Sequence, residues 1–352
     1  QSARTELIAR LRFLTNEATA ETFGPQKMPW LIPDEFKEEW AIVTLSMVSA
    51  ATTNLAFEYP ETRTAAGKNI LSLVEHMLSP ALRNFEQRAW AVEALDSLDS
   101  PYGQIGYLGH LNFMLSALAM LGENRHEELF VRVSQALARR AEAAPSHYLE
   151  TFPNTIFTAD NMVVMASLAI FSRLHGDCFS DLLARWKQAT LSKVCEQSTG
   201  LIPFYVNSTG RGTGSPRGSG LGWNSFYLPF IDEELAAQQY QLTVRHLARR
   251  LPLGFAGLNE FLPSEGGQAD IDSGPVVFGL SSSGTGFILA GARWHQDDSF
   301  ALGILKTAEL VGSSVTSAKG KRYLIAPLVG DAILLAMRTA RPWDTRFIKE
   351  RP

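Results

Sequence analysis

Two kinds of helical segment alternate along this chain, and that alternation constrains its fold more than any other feature. Runs such as NMVVMASLAIF (161–171) and GHLNFMLSALAML (109–121) are apolar nearly all round. Runs such as HEELFVRVSQALARRAEAA (126–144) and DEELAAQQYQLTVRHLARR (232–250) carry one apolar face and one charged face. A helix that is apolar on every side must be buried on every side, and a two-faced helix is the natural cover for it. Repeated along a chain, the pattern predicts an inner and an outer ring: an all-α toroid, the (α/α)6 barrel of helix hairpins. The alternative is an open solenoid of the tetratricopeptide type, but no fixed 34-residue period is visible.

The periodicity is explicit at the residue level. Leu7, Ile8, Leu11 and Leu14 form one stripe over 2–14, and Phe36, Trp40, Ile42, Val43 and Met47 another over 35–55. Similar spacing marks 64–79, 82–97, 104–121, 125–144, 160–175 and 179–197, then 223–231, 233–250, 275–294, 297–311 and 327–338, about thirteen helices in all. Two long Gly-, Pro- and Ser-rich loops, 199–222 and 251–275, interrupt them. Loops of this length usually carry a site or a lid, which places them at one rim. The fragments VVF and FYV are expected as short strands there. The organisation expected is an N-terminal helix and arm (1–34), a single barrel domain (35–340) and a C-terminal tail (341–352).

With 45% apolar and 19% charged residues, the 352-residue chain can bury a sizeable core. A net charge of −4 and the absence of basic blocks argue against a nucleic-acid partner. No uninterrupted apolar run approaches ~18 residues, so membrane association is expected only through a segment beyond this sequence. The chain begins at Gln1, which leaves a signal peptide or anchor, and hence the compartment, open. Cys178 and Cys195 bracket one helical run that would hold them roughly 25 Å apart. A disulfide needs Cα atoms within about 7 Å, so free thiols are expected.

Several motifs are near misses. Gly210-Arg211-Gly212-Thr213-Gly214 lacks the Lys-Ser/Thr ending and the βαβ setting of a phosphate loop, and reads as a flexible lid. In GLSSSGTG (279–286) the closing glycine of a nucleophile elbow falls one position late, so its small residues are expected to serve close helix packing. No metal motif and no cofactor motif occurs. His110 stands out in an otherwise apolar helix, three residues after Tyr107 on the same face. It is either a satisfied core histidine or a catalytic one. Asp160-Asn161 open an apolar inner helix, as a cap or as part of a cavity mouth. Asp270 and Asp272, before Ser273-Gly274-Pro275, form a second acidic helix start. Together these are the parts of an acid/base site.

The stretches IGYLGHLNFM (105–114), TADNMVV (158–164), RLHGD (173–177), GLIPFYVN (200–207) and DIDSGPVVFGLSSSGTGFILA (270–290) resemble the bacterial linalool dehydratase/isomerase family. The resemblance implies an (α/α)6 barrel that dehydrates or isomerises a small alcohol without metal or cofactor. It implies a bacterial protein and association into a homo-oligomer. It puts the family's barrel histidine at His110, its tyrosine at Tyr107 and its Asp-Asn pair at Asp160 and Asn161. The family's two active-site cysteines fall on Phe157 and Ala166, so both thiols are replaced. For the family's N-terminal aspartate the nearest acidic residue is Glu17.

The leading expectation is therefore a cofactor-free lyase or isomerase working by general acid/base catalysis on a small, largely apolar, terpenoid-like alcohol. Its catalytic residues would be His110, Asp160, Asp272 and Tyr107. Asn161, Phe157, Phe113, Trp223, Arg217 and Trp90 would contact the small-molecule substrate. The alternatives are a carbohydrate-active (α/α)6 enzyme with paired carboxylates, and a non-catalytic barrel that binds a lipid or a partner segment.

Overall fold

Apolar stretches become the long helices of this protein even where glycines, or Pro229, stand inside them. The computed structural model describes residues 3–28 and 32–344. Residues 1–2 and 29–31 of the expected arm, and 345–352 of the expected tail, lie outside them. The long helices are α1 (Ala3–Ala18), α2 (Asp34–Glu58), α3 (Arg63–Met77), α4 (Ile105–Met120), α5 (Glu127–Ala143) and α6 (Thr158–Leu174), followed by α7 (Ser180–Ala189), α8 (Gly218–Ile231), α9 (Glu233–Leu247), α10 (Ser282–Trp294), α11 (Asp298–Gly312) and α12 (Leu328–Arg338). Helix accounts for 62% of the structure and strand for 8%, in keeping with a helical class.

The even-numbered helices pack in a cycle: α2 on α4, α4 on α6, α6 on α8, α8 on α10, α10 on α12, and α12 back on α2. The odd-numbered helices lie outside them. Thus α3 covers α2 and α4, α5 covers α4 and α6, and α1 covers α2 and α12. The expected N-terminal arm is therefore in part an outer helix of the same assembly. Burial follows the sequence pattern. In α4 every residue except Ala119 is buried, whereas α5 buries a stripe of Phe130, Val133, Leu137 and Ala141. Within α2, Phe36–Glu58 is long and apolar enough to cross a membrane, yet 89% of its most apolar window is buried inside the fold. Its polar residues stay compatible with that burial because Thr44, Thr52 and Thr53 donate to carbonyls four residues back in the same helix.

Three segments depart from the periodicity. The helix expected over 82–97 is reduced to single turns, Pro80–Arg83 and Gln87–Trp90. There Ala91 takes a left-handed backbone and the Glu86 carboxylate turns away to bind the start of α4. The helix expected over 233–250 stops at Leu247 because 248–250 is a strand. The start expected at 275 is delayed to Ser282 by a hairpin. These strands, β4 (Ala248–Arg250), β5 (Ala256–Asn259), β6 (Val276–Val277) and β7 (Leu280–Ser281), pair in the order β4-β5-β7-β6. A smaller sheet, β1 (Ile156–Phe157), β2 (Tyr205–Val206) and β3 (Gly212–Thr213), places Phe157 opposite Tyr205. The loop expected as a lid over 210–214 is the tip and third strand of that sheet. The VVF and FYV fragments do contribute strands. Residues 314–323 add a hairpin, β8 (Ser314–Ser317) with β9 (Gly320–Tyr323), that the periodicity missed. Both cysteines are free.

One end of the helix cycle is filled. Phe113 lies at its centre, with ring centroids 5.1 Å from Tyr227, 5.2 Å from Trp343, 5.8 Å from Phe230 and 6.2 Å from Phe226. Phe113, expected to touch substrate, is therefore a fully buried packing residue. Where α8 meets α10, glycines let backbones touch. A Cβ on Gly284 would stand 2.7 Å from the Gly218 carbonyl carbon, and one on Gly222 would stand 2.8 Å from the Gly284 oxygen. The small residues of 279–286 thus serve packing. Gly284→Ala is expected to destabilise the fold by about 1–3 kcal/mol, since backbone cannot move aside cheaply. Urea unfolding measures this, and an unchanged midpoint would show that the two helices can separate freely.

Candidate active site

The other end of the cycle collects acidic side chains at helix N-termini, where unpaired N–H groups and the helix dipole favour negative charge. Glu86 accepts the N–H groups of Gly106 (3.1 Å) and Tyr107 (3.3 Å) at the start of α4. Glu260 accepts the Ser219 N–H (3.0 Å) and hydroxyl (2.7 Å) at the start of α8. Asp160 lies in the first turn of α6, Glu39 in the second turn of α2, and Asp272 in the loop that leads towards α10.

Glu39, Asp160 and Asp272 keep partial solvent contact, while Glu86 and Glu260 are closed off. The three lie close enough for their charges to act on one another. Burial, with the negative charges of Asp270 and Asp160 added, pushes Asp272 up to about 7. Burial raises Asp160 to about 6, against the hydrogen bond that Thr151 Oγ1 donates to its Oδ2 at 2.6 Å. Glu39 is raised well above the ordinary carboxylate range by burial and by the charges of Asp160 and Asp272.

Aromatic rings form the wall. The Trp223 indole N–H donates to the Ala159 carbonyl (3.1 Å), which fixes the ring beside Asp160. His110 meets Trp223 edge-on at 5.7 Å. Its Nδ1 is buried without a hydrogen-bond partner, and burial lowers its pKa to about 3, so the imidazole is neutral at physiological pH. A surface cavity of about 460 Å³ is lined by Phe204, Tyr205, Ser215, Arg217, Phe261 and Glu265. Tyr205 belongs to both places, because it lines this cavity and its hydroxyl senses the Asp272 charge. Phe157 packs against Phe204 and Tyr205 at 5.7 and 5.0 Å.

Among the residues expected from sequence, Asp160 and Asp272 feel each other's charge, Trp223 is fixed beside Asp160 with His110 against it, Arg217 is near Asp272, and Phe157 packs on Tyr205. The others have different tasks. Tyr107 is fully buried and donates its hydroxyl to the Met77 carbonyl (2.9 Å), which ties α4 to α3 rather than to a ligand. Asn161 accepts from the Leu149 N–H (2.7 Å) and donates to the Leu149 and Phe157 carbonyls, so its amide is spent on backbone. Trp90 donates to the Thr151 carbonyl (3.0 Å) and thereby supports the residue that binds Asp160. Glu17 is on an outer helix, paired with Lys319 at 3.3 Å. The N-terminal acid that feels the charges of Asp160 and Asp272 is Glu39. In FKEEWAIV it looks like part of a solvated face, and its only signal is a charge directly beside Trp40 at the edge of an apolar run. Among the described residues, no three His, Cys, Asp or Glu side chains converge as metal ligands would.

No protein-family model matches the chain. No curated protein matches it in sequence. In structure the chain is similar to a glycoside hydrolase from family 105 of C. acetobutylicum ATCC 824, with a TM-score of 0.57 and 11% sequence identity, over 94% of this chain and 98% of that one. At that identity the likeness speaks for the fold.

The raised carboxyls have a consequence for stability. The folded protein holds these protons to higher pH than the unfolded chain, where aspartate titrates near 3.8. Stability from these groups is thus full below that value and is lost as pH rises through about 6 and 7. Asp160→Asn is expected to gain in urea midpoint over the parent protein as pH goes from 4 to 8. An equal difference at both pH values would mean that Asp160 titrates normally.

Proposed function

We propose that the cycle of helix hairpins is an (α/α)6 barrel and that its acidic hollow cleaves glycosidic bonds. The observation that carries this reading is a pair of carboxyls, Asp160 and Asp272, near enough for their charges to interact and raised by burial to about 6 and about 7. Because each feels the other's charge, the two titrate as a pair, and one proton between them leaves one acid and one base. Asp272 then protonates the leaving oxygen, and Asp160 stabilises the developing positive charge or activates water. Tyr205 and Phe261, which line the surface cavity, offer rings against which a sugar could stack. The structural likeness to a glycoside hydrolase supports the fold on which this chemistry is built.

The charges also favour a neutral substrate. The cation at the mouth, Arg217, is already bound to two carboxylates. A sugar carboxylate would find no free partner there and three acids facing it.

A panel of neutral oligosaccharides and nitrophenyl glycosides, with matched uronides, tests the reading. Asp160→Asn and Asp272→Asn should each lose about 10²–10⁴-fold in kcat/KM. Neutral glycosides should be turned over faster than uronides. Full turnover by both variants, with native circular dichroism, would remove the two aspartates from catalysis.

One observation favours a second reading, the dehydration or isomerisation of a small alcohol that the family resemblance implies. His110 is a neutral imidazole with an unpartnered nitrogen, set against the apolar edge of Trp223. In that chemistry Asp272 would protonate the leaving hydroxyl and His110 would accept a carbon-bound proton. Headspace chromatography over a monoterpene alcohol separates the two, since alkene release that depends on His110 belongs only to this reading.

A further inference from the structure

The side chain of Asp272 makes no hydrogen bond among the described residues, but its backbone is held on both sides. On one side Asp270 Oδ1 accepts the N–H groups of Asp272 (3.1 Å) and Ser273 (3.0 Å). On the other, the Ser273 carbonyl accepts the Ser281 hydroxyl (3.0 Å) and the Ser283 N–H (3.2 Å) at the start of α10. The backbone that carries this carboxyl is thus fixed from two sides, which sets where the group starts from.

The hold on Asp270 comes from Arg217. Its Nη1 and Nη2 donate to the two oxygens of Asp270 at 2.6 and 2.7 Å, and its Nε donates to Glu260 at 2.7 Å. The guanidinium carbon lies 4.5 Å from the centre of the Phe204 ring. Glu260 is fully buried and fastened to Ser219 in the first turn of α8. An unbroken chain therefore runs from α8 through Glu260, Arg217 and Asp270 to the Asp272 backbone. Between Leu262 and Asp270 the loop forms no helix or strand, so this chain, with the Ser273 contacts at the start of α10, ties it to the ring.

We infer that Arg217 is a positioning residue: it ties the start of α8 to the loop bearing Asp272 and so sets where that carboxyl stands. With three of its N–H groups bound to carboxylates and one face on Phe204, it is not arranged as a clamp for a substrate anion. The shape of the fork matters as much as its charge. A lysine could neutralise Asp270 but could not hold both its oxygens and reach Glu260 at once. The kinetic part of this inference rests on Asp272 being the acid proposed above. The structural part does not.

Hydrogen exchange read by mass spectrometry, with kinetics, tests it on the full chain. In Arg217→Gln and Asp270→Asn, amides over 268–283 should exchange faster while those of α4 and α6 keep their rates. Arg217→Lys should fall short of restoring protection. On a glycoside that the parent protein turns over, all three should lose kcat, by up to about 100-fold, with KM little changed. The groups facing Asp272 are Asp270, Asp160, Glu260, Arg217, Glu39 and Tyr205. Removing the Asp270 charge takes away a repulsion, so the alkaline limb of the Asp270→Asn profile should move to lower pH. Unchanged loop exchange, full protection in Arg217→Lys, or a raised KM with kcat intact would each overturn the inference. If no glycoside is turned over, the reading of the site fails while the exchange rates still judge the tie.

Discussion

Negative charges gathered away from water, at the end where inner-helix N-termini converge, are the constraint on which this structure turns. Five acidic residues take part: Glu39, Glu86, Asp160, Glu260 and Asp272. Such a cluster would be costly in an apolar interior. Two of its members are satisfied by helix N–H groups, and one of those also by Arg217. The other three remain partly wet, and they and Glu86 hold protons at unusually high pH because burial disfavours their charged forms. What looks like an electrostatic fault is thus confined to one end of the helix cycle, and it is there that the proposed proton transfer is placed.

The rest of the fold makes that confinement workable. Phe113 and its aromatic neighbours fill the opposite end, so water reaches the acids from one side. Trp223 and Trp90 spend their indole N–H groups on carbonyls flanking the Asp160 segment, which makes rigid scaffolding of large side chains. His110 shows the complementary effect: the burial that raises carboxyls lowers an imidazole, and it stands in the wall as a neutral ring.

Much of the helical architecture was legible because burial on all sides and burial on one face leave different patterns, as α4 and α5 show. Where helices end was less legible. At 248–250 and 275–281 strand pairing between distant segments overrode local periodicity, and nothing local announces a partner elsewhere in the chain. Of the site, Asp160 was readable as an acidic helix start and His110 as a polar residue in an apolar run, whereas Asp272, expected at a helix start, lies in a loop ten residues before α10. Tyr107 was misleading because shared helix-face spacing with His110 does not say which neighbour a side chain meets; here the neighbour is α3. Glu39 stayed hidden because a charge beside other charges looks solvated until the ring closes over it. Arg217 was visible, but its two partners lie 43 and 53 residues away.

The most direct measurement of the central claim is a carbon-13 NMR titration of the aspartate carboxyls. Resonances that vanish in Asp160→Asn and Asp272→Asn should have midpoints near 6 and 7. If both instead titrate near 4, as aspartate does in water, the hollow is ordinary solvated surface and the proposed chemistry has no acid to work with.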